Sequence, residues 1–62
     1  MENRLKEIRI AKGLTIRQIS ERSQISVSHI VRLEKGECDP TLSTMRKLAW
    51  ALREPVWKVF GE

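Results

Sequence analysis

Ser28, Arg32 and Lys35 fall four and three residues apart in the stretch "SVSHIVRLEKG", residues 26–36, so a helix there stacks them on one side. That row offers hydrogen-bond chemistry and no nucleophile chemistry. An arginine donates two hydrogen bonds to a guanine edge, a serine hydroxyl serves either kind of base pair, and Val27 and Val31 present methyl groups suited to thymine. Ser26 at the helix start adds free backbone amides and the positive end of the helix dipole, which suit a phosphate. Ile30 and Leu33 lie on the opposite side and turn inward. Periodicity alone leaves a second reading open, in which Val27 and Val31 belong to the core and Arg32 and Lys35 form a solvated charged face.

Other chemistry finds little support in the residue types. His29 is the only histidine and Cys38 the only cysteine, so no metal set is expected. The carboxylates are dispersed and nothing pairs a nucleophile with a base, which argues against an enzyme. No cofactor or small-molecule ligand is expected. A lone cysteine forms no internal disulfide and fits a reducing compartment, with Cys38 a loop thiol of no assigned role. Twelve Lys and Arg against eight Asp and Glu give a net charge of +4 and a pI near 9.9, a balance that favours polyanions. The basic, amphipathic "RLKEIRIAKG" suggests one face of a soluble helix sooner than a membrane anchor, and no 18-residue apolar run exists. The expectation is a soluble, cytoplasmic protein that uses no membrane.

Five short helices must position the row. Sixty-two residues make one domain, which hides only about 60% of the surface its unfolded chain exposes. Asn3 is placed to cap a first helix with Leu5 and Ile8 inward, Lys12 in its last turn and Gly13 as its left-handed stop. "TIRQ" fits a capping box, with Thr15 accepting from the Gln18 amide, and opens a second helix with Ile19 and Ser20 inward. Residues 23–25 form a tight break, Ser26 caps the third helix and Gly36 ends it. "ECDP" is a loop, since Pro40 cannot continue a helix. Leu42, Met45, Leu48, Ala49 and Leu52 then recur at helical spacing, the clearest amphipathic pattern of the chain. Pro55 restarts a terminal helix with Val56, Val59 and Phe60 inward and Gly61 past its end. Two short helices joined by a tight turn, the second polar outside, describe a helix-turn-helix over about residues 15–35.

"GLTIRQISERSQISVSHIVRLEKGECDPTLSTMRKLAWAL" resembles the Cro/C1-type (XRE) helix-turn-helix family of phage repressors, Cro proteins and restriction-modification controllers. The most specific part is "IS…HIVRLEKG…P", where Ile25, Ser26, Ile30, Leu33, Glu34, Gly36 and Pro40 fall on favoured positions. The resemblance implies an all-α, compact five-helix lambda-repressor-like domain over residues 1–62. It places Val27, Ser28 and Arg32 at base-reading positions, with His29 where a base or phosphate is often met and Val31 beside them. Thr15, Arg17, Ser26, Lys35 and Gly36 join the phosphate-contacting set. Arg9 and Glu34 match a structural ion pair between the first and third helices. Four positions depart from the pattern. Ile16 replaces a glutamine that braces the reader helix, and Gln24 replaces the turn glycine, which predicts a strained or altered turn. Serine at positions 20 and 23 replaces alanine and leucine, which predicts a weaker core near that turn.

By resemblance, the function is that of a sequence-specific transcriptional regulator, a repressor that occupies an inverted-repeat operator in double-stranded DNA as a homodimer. Trp50 lies opposite the apolar side of the fourth helix and Trp57 falls where the family usually has a polar residue. Together they are expected at a twofold dimer contact, the alternative being a ring folded back over the core. The rival function is a protein-interaction module, an antitoxin or adaptor, on the same scaffold.

Overall fold

A computed structural model describes residues 2–61, and all of the regular structure among them is helical. The helices run α1 (Leu5–Ala11), α2 (Ile16–Ser23), α3 (Val27–Glu34), α4 (Leu42–Leu52) and α5 (Val56–Phe60). Helix α2 packs against α3 and α4, α4 also against α5, and α1 against α3 and α5. The chain therefore closes on itself, with α3 held on two sides. Backbone contact reinforces the closure, because the Arg4 amide donates to the Val59 carbonyl at 2.8 Å.

Local chemistry sets the ends of these helices. Thr15 and Gln18 complete the capping box, the Gln18 amide reaching Thr15 Oγ1 at 3.1 Å and the Thr15 amide reaching Gln18 Oε1 at 2.8 Å. Ser26 Oγ accepts from the His29 amide at 3.2 Å and Thr41 Oγ1 from the Thr44 amide at 3.1 Å. Helix α3 stops where Gly36 turns left-handed, with the Glu37 amide returning to the Arg32 carbonyl and the Gly36 amide to the Leu33 carbonyl. Two expected starts shift slightly. Arg4 occupies the cap position of α1, yet Asn3 still does capping work, since its Oδ1 accepts from the Leu5 amide at 2.9 Å. Pro55 sits at the cap of α5, one residue before the helix proper.

The core is built from Leu5, Ile8, Ile19, Ile30, Leu33, Leu48, Ala49, Ala51, Leu52, Val59 and Phe60. Three inward assignments change. Ser23, not Ser20, is the buried serine of α2, because it lies four residues from Ile19 and so continues that buried row. Leu42 is exposed, because it stands in the first turn of α4 at the edge of the apolar arc. Ala51 is buried instead, because α4 packs against both α2 and α5 and therefore hides a wider arc. Met45 and Val56 pack against the core while only partly buried, as do Ile16 and Cys38.

Serines at the α2–α3 turn do more than fill space. Ser23 Oγ donates to the Ile19 carbonyl at 2.7 Å and accepts from the Ile25 amide at 3.2 Å. Ser20 Oγ donates to the Ile25 carbonyl at 2.6 Å. Both hydroxyls thus satisfy the backbone of the turn they border. Gln24 takes the left-handed conformation there, at φ 62° and ψ 25°, and its side-chain amide donates to the Glu21 carbonyl at 3.0 Å. The strained turn expected from a non-glycine residue is what the backbone adopts.

Candidate nucleic-acid interface

Helix α3 divides into two unlike flanks. Ile30 and Leu33 are fully buried, while Val27 stands 45% exposed with Ser28, Arg32 and Lys35 exposed on the outer side. Val31 and His29 are half-buried at its margins. Val27 is thereby excluded from the core, and the reading that put both valines inside fails for it; Val31 is shared between core margin and surface. Arg32 and Lys35 hold no side-chain hydrogen bond or ion pair among the described residues. An unpaired guanidinium fixed on a helix is free to donate outward.

Further polar residues are exposed on the same helix pair. Thr15 and Arg17 are exposed at the N-terminal end of α2, and Ser26 is exposed at the start of α3. Its hydroxyl lies 3.5 Å from that of Ser28. Gly36 is half-buried after α3, where its left-handed turn shapes the backbone beside Lys35. The serines, threonine and cations assigned from sequence are therefore all exposed, on α2, on α3 or at their ends. Ile16 does not join them; it packs partly buried against the core, where a glutamine would have been polar.

The inner flank is anchored by charge. Arg9 Nε donates to Glu34 Oε2 at 2.7 Å and a second guanidinium nitrogen donates to Glu34 Oε1 at 3.2 Å, a two-pronged pair between α1 and α3. The remaining guanidinium nitrogen donates to the Leu14 carbonyl at 2.9 Å. Their side chains are 12% and 4% exposed, which makes the pair costly to break from one side. Asn3 adds a second tie, its Nδ2 donating to the Leu33 carbonyl at 3.0 Å. Sequence reasoning missed that bond, since nothing in the spacing of Asn3 and Leu33 signals it. Both ties hold the C-terminal half of α3, so its outer residues project from a fixed support.

The two tryptophans are exposed, Trp50 by 70% and Trp57 by 65%. They line separate hollows. Trp57 borders one of about 620 Å³ with Arg4, Glu34, Lys35 and Lys58, whereas Trp50 borders two others beside Arg22. The alternative of a ring folded back over the core is excluded for both. Among the described residues no three His, Cys, Asp or Glu side chains gather as a metal set, and no helix is long and apolar enough to cross a membrane.

Comparison with known proteins places this geometry. The sequence profile described as "Helix-turn-helix" matches residues 5–56, which takes in α1 to α4 and the start of α5. The HTH-type transcriptional regulator DdrOP3 of Deinococcus deserti is 41% identical over 46 residues, 74% of this chain and 36% of that protein. The immunity repressor protein of Bacillus phage phi105 is 36% identical over 59 residues, 95% of this chain and 41% of that protein. The chain thus spans well under half the length of these two relatives. The crystal structure of the restriction-modification controller protein C.AhdI from Aeromonas hydrophila superposes with a TM-score of 0.85 at 33% identity, covering 89% of this chain and 83% of that one. With the capped helix pair, the buried Arg9–Glu34 tie and the outward row of α3 in place, the chain belongs to the Cro/C1-type (XRE) helix-turn-helix family.

Proposed function

We propose that the protein is a sequence-specific DNA-binding transcriptional regulator, a repressor whose helix α3 enters the major groove of an operator. The observation that carries this reading is the division of α3: two core residues inward and an exposed row of Val27, Ser28 and Arg32 outward. Arg32 reads a guanine through paired hydrogen bonds, Ser28 bonds a neighbouring base edge, and Val27 and Val31 lie against thymine methyl groups. His29 meets a base or phosphate at the helix margin. Thr15, Arg17, Ser26, Lys35 and the backbone at Gly36 hold the phosphates that set the docking register. Two relatives are named as a transcriptional regulator and an immunity repressor, which supports the same class of function.

The protein acts as a homodimer in this reading, so its operator is an inverted repeat with half-sites about 34 Å apart. The twofold contact is centred on Trp57. Its hollow carries both signs of charge, with Arg4 and Lys58 beside Glu2, which a self-complementary contact can match against itself. Trp50 is a poorer candidate, because Arg22, Arg46 and Lys47 surround it and a twofold contact there opposes like charges.

Selection of bound sites from random duplexes, repeated at two salt concentrations, tests the reading. A symmetric motif is expected, with affinity falling steeply as salt rises. Weak binding without a motif at both concentrations would remove α3 from base reading. Sedimentation separates the dimer from the reader: Trp57→Glu should yield monomers, and a dimer that survives it moves the contact elsewhere.

A further inference from the structure

We propose that the basic cleft around Trp50, between the C-terminal end of α2 and the outer side of α4, is a docking site for an acidic segment of a partner protein. Two adjoining hollows of about 520 and 540 Å³ meet here, and both are lined by Arg22 and Trp50. Arg46 and Lys47 border one and Arg53 the other. Four cations therefore surround a ring that is 70% exposed. Their volumes suit a short stretch of chain.

Among the described residues no carboxylate pairs with Arg46, Lys47 or Arg53. The one carboxylate lining either hollow is Glu54, and it is already held by Lys12 at 3.0 Å and Lys58 at 3.3 Å. Arg22 spends one nitrogen on the Ala51 carbonyl at 3.3 Å, which fixes its guanidinium at the rim. Crowded like charges cost free energy in isolation and are relieved by an anionic partner. Arginine and tryptophan together are also the residue types that most often dominate a protein interface. An acidic segment with one or two apolar side chains satisfies both features, its carboxylates meeting the cations and its apolar groups covering the ring.

Other occupants fit less well. Duplex DNA is addressed by Thr15 and Arg17 at the other end of α2 and by the outer row of α3. A second copy paired through this cleft sets cation against cation. The choice of a protein segment over duplex DNA rests on that reading of α2 and α3, and the last arm of the test separates the two.

A fluorescence titration tests it on the Trp57→Phe protein, in which Trp50 is the only tryptophan. The probe is a twelve-residue peptide of glutamates with two central leucines, and its control carries lysine in place of every glutamate. The glutamate peptide should shift Trp50 emission to the blue and saturate. Arg46→Glu with Lys47→Glu should weaken that response by about tenfold or more, and Arg32→Ala should leave it unchanged. Arg46→Gln with Lys47→Gln, a milder change, should show the same direction to a smaller degree. The proposal is overturned by the absence of a saturable shift, by an equal shift with the lysine peptide, or by a shift that appears on concentrating the protein alone. It is equally overturned if the charge-reversed protein keeps its peptide response but loses duplex DNA binding, since the cleft would then be a phosphate surface.

Discussion

Arg9 and Arg32 are the same residue type put to opposite uses on the two flanks of α3. Arg9 reaches α3 from the core side, spends its nitrogens on Glu34 and the Leu14 carbonyl, and is mostly hidden from water. Arg32 belongs to α3 itself, faces solvent and holds no partner among the described residues. Removing the first leaves a buried carboxylate unpaired, whereas removing the second leaves the fold untouched. The difference teaches that one flank of the helix stores stability and the other keeps its hydrogen-bonding capacity unspent. A base-reading surface needs that separation, because a donor already engaged inside the protein has nothing to offer a ligand.

Breaking the comparison at its strong side should have the largest effect. Arg9→Ala is expected to cost about 3–5 kcal/mol in urea-induced unfolding, enough to unfold much of so small a domain. A loss below about 1 kcal/mol would mean that the pair is not an anchor. On the outer flank, Arg32→Ala should lower operator affinity by about 1–3 kcal/mol and relax preference at one base pair, with unfolding changed by no more than about 0.5 kcal/mol. Lys35→Ala should instead weaken all sequences alike and reduce the salt slope by about one. Equal losses on every sequence for Arg32→Ala would make it a phosphate contact.

Smaller effects sharpen the picture of the support. Gln24→Gly should stabilise the protein by about 0.5–1 kcal/mol in the same unfolding assay, because glycine adopts the left-handed turn without a Cβ penalty. Destabilisation would show that the Gln24 bond to the Glu21 carbonyl outweighs the strain. At Glu54, the hydrogen bond from Lys12 holds the carboxyl below its ordinary value, opposed by partial burial and aided by Lys58. A lowered folded value means that this contribution is complete above the unfolded carboxylate range and drains as pH falls through the folded value. Glu54→Gln should therefore flatten the acid limb of a stability-against-pH curve, and an unchanged limb would assign that slope to other carboxylates.

Much of the support was legible from residues. Thr15 with Gln18 and Ser26 before an apolar pair announce helix starts because capping is a bond within four residues of chain. The row of Val27, Ser28 and Arg32 was visible as a pattern, though periodicity alone could not say whether it faced water or core; exposure of Val27 answers that. Periodicity puts Ser20 inward and ends α2 before Ser23, whereas the helix runs through Ser23 and buries it, a choice that only contact with the rest of the core makes. Leu42 and Ala51 were misjudged for a related reason, since the width of a buried arc depends on how many helices press against it. Sequence spacing does not tell which surroundings each tryptophan has, and in the fold they border separate hollows.

By itself, the sequence determined the number of helices, their caps and stops, and the residue types carried by each flank of α3. Those features arise from interactions within one or two helical turns, so neighbouring residues suffice to specify them. Tertiary structure alone decided that Asn3 ties down the Leu33 carbonyl, that four cations surround Trp50, and that Ala51 is hidden while Leu42 is not. Each of these depends on groups brought together from distant parts of the chain, and their proximity follows from how the helices pack, which no local spacing encodes.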